Sequence, residues 1–175
     1  MIETERLTLR RFVPEDVDFV FDLFRRVEVS RWSGLGIPMK HRDEAVARIA
    51  RQPERAGDHP AAGIFAVVPH GADAPVGMAV LVPIPSSEGF GRNDMEIGWH
   101  LHPDAWGNGY ATEAAQALVD RGFAHGIPEL YAVTHPDNAP SQAVCRRLGM
   151  TDLGLRSDWY DRELRSFRLG AQSRA

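Results

Sequence analysis

The sequence has a single cysteine, Cys145, so no disulfide forms within the chain, and its stability owes nothing to an oxidising compartment. It also has a single lysine, Lys40; the rest of its positive charge is arginine, and the formal net charge is −4. A dominant nucleic-acid surface needs a basic footprint, which this balance excludes. No apolar run approaches the roughly 20 residues that a membrane span requires. The longest, Val76 to Ile84, reads as a buried strand. The opening Met1-Ile2-Glu3-Thr4-Glu5 lacks both a basic start and an apolar stretch, so no signal peptide is expected. Together these absences predict a soluble cytoplasmic protein whose partners include neither nucleic acid nor membrane.

What is present suits one compact domain over residues 1–175, with 43% hydrophobic residues and room for a sizeable core. The pattern is α/β, with helix and strand mixed throughout and no internal repeat. Arg6 to Phe12 alternates as a half-buried strand does. Pro14-Glu15-Asp16 opens a helix whose apolar face is Val17, Val20, Phe21, Phe24 and Val27. Residues 30–42 show no clear periodicity, and a short helix around Ala45, Val46 and Ile49 follows. Gly63 to Val68 and Val76 to Pro83 read as a hairpin, and Met95 to Leu101 as a further strand. Ala111 to Phe123 is a strongly amphipathic helix, and Leu130 to Thr134 a short strand. Asn138 caps a last helix that ends at Gly149, with Pro140 in its first turn. Two closing strands are expected between Thr151 and Leu169.

The segment Trp106-Gly107-Asn108-Gly109-Tyr110-Ala111-Thr112 lies between a strand and the start of the long helix. Helix N-termini offer unpaired N–H groups and a positive dipole end, and glycines let a phosphate approach the backbone. Such a loop can cradle a pyrophosphate without a basic side chain. Neither the three spaced glycines of a dinucleotide fold nor the Gly-Lys-Ser/Thr of a P-loop is present, which disfavours NAD or ATP. His100 and His102 fall on one strand face with no evident third ligand, so no metal is expected.

Glu96-Ile97-Gly98-Trp99-His100-Leu101 followed by Trp106-Gly107-Asn108-Gly109-Tyr110-Ala111-Thr112-Glu113-Ala114 resembles the acetyl-CoA-binding core of the GNAT superfamily, in the form of its RimJ/RimL-like branch. Asn138-Ala139-Pro140-Ser141, Val144 and Leu148-Gly149-Met150 resemble that branch's second motif. Glu5-Arg6-Leu7-Thr8-Leu9-Arg10 resembles its first strand. The resemblance implies the GNAT fold: a central mixed, mostly antiparallel twisted sheet with a splayed parallel strand pair and helices on both faces. It implies acetyl-CoA as cofactor, with phosphates on the backbone N–H groups of Gly107, Asn108, Gly109, Tyr110, Ala111 and Thr112. Main-chain groups of Trp99, His100 and Leu101 would pair with the pantetheine arm, and Asn138 would bond it. The implied activity is acetyl transfer to a primary amine, either a protein or peptide N-terminus or a small-molecule amine, by direct attack in a ternary complex. Dimers occur among relatives, so a homodimer is compatible.

The reaction needs a neutral amine and a protonated leaving thiolate. At pH 7 an α-amine is about a tenth neutral and a lysine about 0.04%. Glu96 is the candidate base, where superfamily members often place a catalytic glutamate, and His100 on the same strand face is the second. Many members carry a tyrosine acid on the last helix. Cys145 occupies that place here, and its plain reading is a small core hydrophobe. Ser141, which matches the branch motif, is the candidate acid. Arg31, Trp32, Trp159 and Tyr160 are candidates for the acceptor pocket. The alternatives are a non-catalytic acyl-CoA sensor on the same fold and a general nucleotide-binding domain.

Overall fold

The computed structural model describes residues 1–171. An eight-stranded sheet runs through the molecule in the order β1-β2-β3-β4-β5-β6-β8-β7. Its strands are β1 (Ile2–Glu3), β2 (Leu7–Arg11), β3 (Gly63–Pro69), β4 (Gly77–Ile84), β5 (Asp94–Leu101), β6 (Glu129–Thr134), β7 (Thr151–Arg156) and β8 (Leu164–Gly170). The helices are α1 (Val17–Arg25), α2 (Val27–Ser30), α3 (Arg42–Ala50), α4 (Gln52–Ala56), α5 (Tyr110–Ala124) and α6 (Ala139–Arg147).

Strand alternation divides the core between two faces. Phe65, Val67, Ala79, Leu81 and Ile97 pack with Leu118 and Val119 of α5 and with Val144 and Cys145 of α6. Ile64, Ala66, Val68, Met78 and Val82 pack with Val20, Leu23 and Phe24 of α1 and with Ala45 and Ala56. β3 is therefore apolar on both sides because helices cover both. Among the described residues no helix is long and apolar enough to cross a membrane.

All neighbouring strands are antiparallel except β5 and β6, which run parallel. These two pair only at Met95–Leu130 and Glu96–Tyr131. Beyond Glu96 they diverge, so Ile97 to Leu101 keep β4 on one edge and Ala132 to Thr134 keep β8, while the edges that face each other are unpaired. This splay is the main consequence of the topology for function.

One sequence expectation is corrected. The first helix does not continue to Val27: Arg26 turns extended (ψ 122°), its guanidinium reaches back to Asp22, and α2 begins afresh. The break buries Val29 and leaves Val27 exposed. The two closing strands are present as β7 and β8, with β8 inserted between β6 and β7.

Candidate active site

The splay opens a cleft of about 1860 Å³ that reaches from the α1–α4 side of the sheet to the start of α5. One wall is β5, the facing walls are α3–α4 and the 31–34 turn, and α6 closes the far end.

At the start of α5, Gly107 and Gly109 both take left-handed backbone conformations (φ 80° and 79°), which glycine adopts at no steric cost. They fold the loop so that, among the described residues, no protein acceptor takes the N–H groups of Gly107 to Thr112. Unpaired amides at the positive end of a 15-residue helix form an anion cradle. Arg6, immediately before β2, clamps this loop: its Nη1 donates to the Asn108 carbonyl at 2.9 Å, and its Nε and backbone N–H donate to Glu113 at 2.7 and 2.8 Å. Thr4 adds a 2.6 Å bond to the same carboxylate. The opening strand motif is thus joined to the loop, a role that its alternation did not disclose. The Asn108 side chain bonds Ala105 and Trp106 carbonyls, and Tyr110 lies under Arg6 against the core, so these two contribute backbone amides and no cleft-lining side chain.

Deeper in the cleft, Thr134 Oγ1 is buried without a partner. Asn138 caps α6 by accepting from the Ser141 N–H at 3.3 Å, and among the described residues its amide N–H₂ has no protein acceptor. Ser141 lines the cleft, and among the described residues its hydroxyl has no protein partner. The Leu101 carbonyl accepts from the Trp106 indole at 2.9 Å, which occupies one of its two lone pairs. Trp99 packs against the α5 side.

Glu96, Gly98 and His100 point to the α1–α4 side. Glu96 is buried, with Oε1 held by Arg55 Nη2 at 2.7 Å and by the Tyr160 hydroxyl, while Oε2 has no protein partner among the described residues. Burial pushes its pKa up to about 7, against the downward pull of Tyr160 and Arg55. Burial and the Glu96 charge raise the Tyr160 pKa in turn, so its hydroxyl keeps its proton and donates. Tyr160 itself is left-handed (φ 61°) and is fixed there by its N–H to the Pro85 carbonyl and by Asp161 bonds to Ser87 and Glu88. Arg55 gave no signal in the sequence, since it sits in a short helix outside any motif.

His100 stacks edge-on against Phe24 at 5.3 Å, and burial together with the Arg48 charge pushes its pKa down to about 3. Such an imidazole stays neutral and binds a proton too weakly to serve as the base. His102 bonds Asp22 of α1 at 3.0 Å, and among the described residues no group of three metal-binding side chains forms. Trp32 and Arg31 line the cleft, with Trp32 tilted on His135 at 5.3 Å. Trp159 does not line it: it is buried, bonds Asp94 at 3.0 Å and packs on Tyr131. The aromatic pair Trp159-Tyr160 looked alike in sequence, but the left-handed turn sends only Tyr160 into the cleft.

Cys145 is fully buried between α6 and the sheet, does not line the cleft, and burial pushes its pKa up to about 12. Cys145→Ala is expected to leave turnover within twofold and to cost about 1 kcal/mol of stability. A thiol reagent should label the native protein only after unfolding, and rapid labelling in buffer would place the thiol in the cleft after all.

Residues 6–151 match the model of a family described as "Acetyltransferase (GNAT) domain". The chain belongs to the GNAT acetyltransferase family. This GNAT chain is 28% identical over 168 residues to "Uncharacterized N-acetyltransferase YnaD" of Bacillus subtilis (strain 168), spanning 91% of this chain and 92% of that one. It is 30% identical over 164 residues to "FsC-acetyl coenzyme A-N(2)-transacetylase" of Aspergillus fumigatus, spanning 91% and 68%. In fold it matches "Mycobacterium smegmatis RimJ in complex with CoA-disulfide" with a TM-score of 0.74 at 18% identity, over 95% of this chain and 83% of that one. The protein is an acetyltransferase, and its cofactor is acetyl-CoA. The orphan amides, the unpartnered Thr134 hydroxyl and the open strand edges suit a long ligand carrying phosphate at one end and amides along its length.

Proposed function

We propose that this enzyme acetylates a primary amine that binds on the α1–α4 side of the splay, by direct transfer with both substrates present and Glu96 as the base. The observation that carries this is the free Oε2 of Glu96 beside the splay, on a carboxyl poised near neutrality. Acetyl-CoA supplies the activated acetyl thioester. The amides of Gly107 to Thr112 are assigned its phosphates, and Thr134 and Asn138 its pantetheine amides. Glu96 Oε2 takes a proton from the amine nitrogen, and a pKa near 7 suits that task at neutral pH. Arg55 and Tyr160 hold the other oxygen and fix the carboxyl plane. Ser141 Oγ, a free hydroxyl on the α6 wall, is assigned the proton donor to the leaving thiolate. The acceptor is a small amine or a peptide N-terminus: the Aspergillus relative's name gives an N(2)-transacetylase, and the fold is shared with RimJ.

The test is the pH dependence of acetyl transfer to a responsive amine. The acid limb of kcat is expected near pH 7, and Arg55→Gln, which removes a cation that favours the carboxylate, should move it up by about one pH unit. A limb unmoved by Arg55→Gln would remove Glu96 from the role.

A further inference from the structure

Arg48, Gln52 and Arg55 stand together on the cleft wall. Arg51 links α3 to α4 in a helical conformation; its N–H bonds the Ala47 carbonyl and its carbonyl accepts from the Arg55 N–H, so the path stays helical across the join. Residues at i, i+4 and i+7 of such a path share one face. Arg55 is committed to Glu96, Tyr160 and the Pro83 carbonyl. The other two are not committed. Gln52 Nε2 is buried with no acceptor among the described residues. The Arg48 guanidinium lies over the Phe24 ring at 3.8 Å and, among the described residues, has no carboxylate, carbonyl or hydroxyl acceptor; burial lowers its pKa to about 10. The acids nearby do not answer it: Glu44 accepts from the Lys40 and His41 amides, Glu96 faces Arg55, and Glu28 and Glu54 sit at the exposed rim.

Gln52 Nε2 is a donor withdrawn from water without an acceptor, and Arg48 is a half-buried cation without one; a ligand that brings anionic oxygens supplies what both lack. We propose that the acceptor is an amine that also carries a carboxylate, with the carboxylate held by Arg48 and Gln52 Nε2 while the amine faces Glu96. A guanidinium fork beside one amide donor matches the two oxygens and single charge of a carboxylate. A phosphate dianion would bring more charge and more acceptors than this wall has free donors. The proposal rests on the placement of the amine beside Glu96 proposed above.

The probes are ω-amino acids of two to five methylenes, each beside its primary amide, and the peptides Ser-Glu-Ala and Ser-Gln-Ala. Binding to the CoA-loaded enzyme is measured by calorimetry, separately from acetyl transfer. The wild type is expected to favour at least one acid over its amide by about tenfold or more in Kd. A preference confined to the amino acids identifies a free small-molecule acceptor; one confined to Ser-Glu-Ala identifies an acidic peptide. Arg48→Met should bring the acid-to-amide ratio close to one while leaving amide binding within about threefold, and Arg48→Lys should restore part of the preference. Arg48→Met also removes a half-buried charge that has no protein acceptor among the described residues, so it should melt no lower than wild type, and Gln52→Leu provides a second variant with the same direction of effect. Equal binding of every acid and its amide by the wild type would overturn the proposal, as would an Arg48→Met loss shared equally by acids and amides. Preferential acid binding without transfer to any amine would instead count against Glu96 as the base and leave carboxylate recognition standing.

Discussion

Glu96→Gln is expected to lower kcat by about 10²- to 10³-fold at pH 7.5 without changing acetyl-CoA affinity more than twofold. Glutamine preserves the oxygen that receives Arg55 and Tyr160, so the cleft keeps its shape and only the proton acceptor at Oε2 disappears. The loss should shrink toward high pH, where the amine is already neutral, because a base is needed only for amines that arrive protonated. A kcat within about threefold of wild type at pH 7.5 would show that the proton leaves by another route. The same variant should change stability in the opposite sense. The folded-state pKa of Glu96 lies near 7, above the usual carboxylate value, so the folded protein holds this proton more tightly than the unfolded chain does. That contribution is fully present below the unfolded pKa and is lost as pH rises through about 7. Glu96→Gln keeps a neutral side chain throughout, so at pH 8 it should be more stable than wild type by about 1–3 kcal/mol, with the gain fading toward pH 4.5. Loss of activity with gain of stability is the signature of a group held in place for function.

Gly109→Trp is expected to abolish detectable acetyl-CoA and CoA binding by calorimetry, a loss of more than about 100-fold. Gly109 has φ 79° and ψ 0° and is the N-cap of α5, so any side chain there costs about 1–2 kcal/mol of local strain. An added Cβ meets only Arg6, 3.4 Å from Nη2, so the indole has room to enter but does so at the mouth of the amide cradle and against its clamp. The strain is local and the core untouched, so circular dichroism and cooperative melting should persist. Gly109→Ala, with the strain and no bulk, should weaken binding by about tenfold. Binding that survives Gly109→Trp would move the phosphates away from the α5 N-terminus.

The loop and helix start at one end of the cleft were legible because backbone and local pattern determine them. Gly107 and Gly109 before an amphipathic run specify a loop and a helix N-terminus from short-range chemistry alone. The acceptor side was not, because distant segments assemble it. Arg55 meets Glu96 across 41 residues and Tyr160 meets it across 64, and no periodicity encodes such a meeting. Arg6 and Asn108, 102 residues apart, are a similar case. Trp159 and Tyr160 show the limit most plainly. Both read as candidates for the pocket, and only a left-handed backbone that sequence pattern does not report sends one to the core and the other to the cleft. His100 was placed on the correct face, but burial and Arg48, which sequence could not bring together, make it a poor base.

The splay between β5 and β6 is the centre of this account, and a crystal structure of the protein with CoA tests it most directly. Density should run between the two strands, with the pyrophosphate within hydrogen-bond distance of the amides of Gly107 to Thr112 and the thiol end near Glu96 on the α1–α4 side. Density for CoA elsewhere on the molecule, with the gap between Ile97–Leu101 and Ala132–Thr134 left empty, would contradict both the cofactor site and the roles assigned around it.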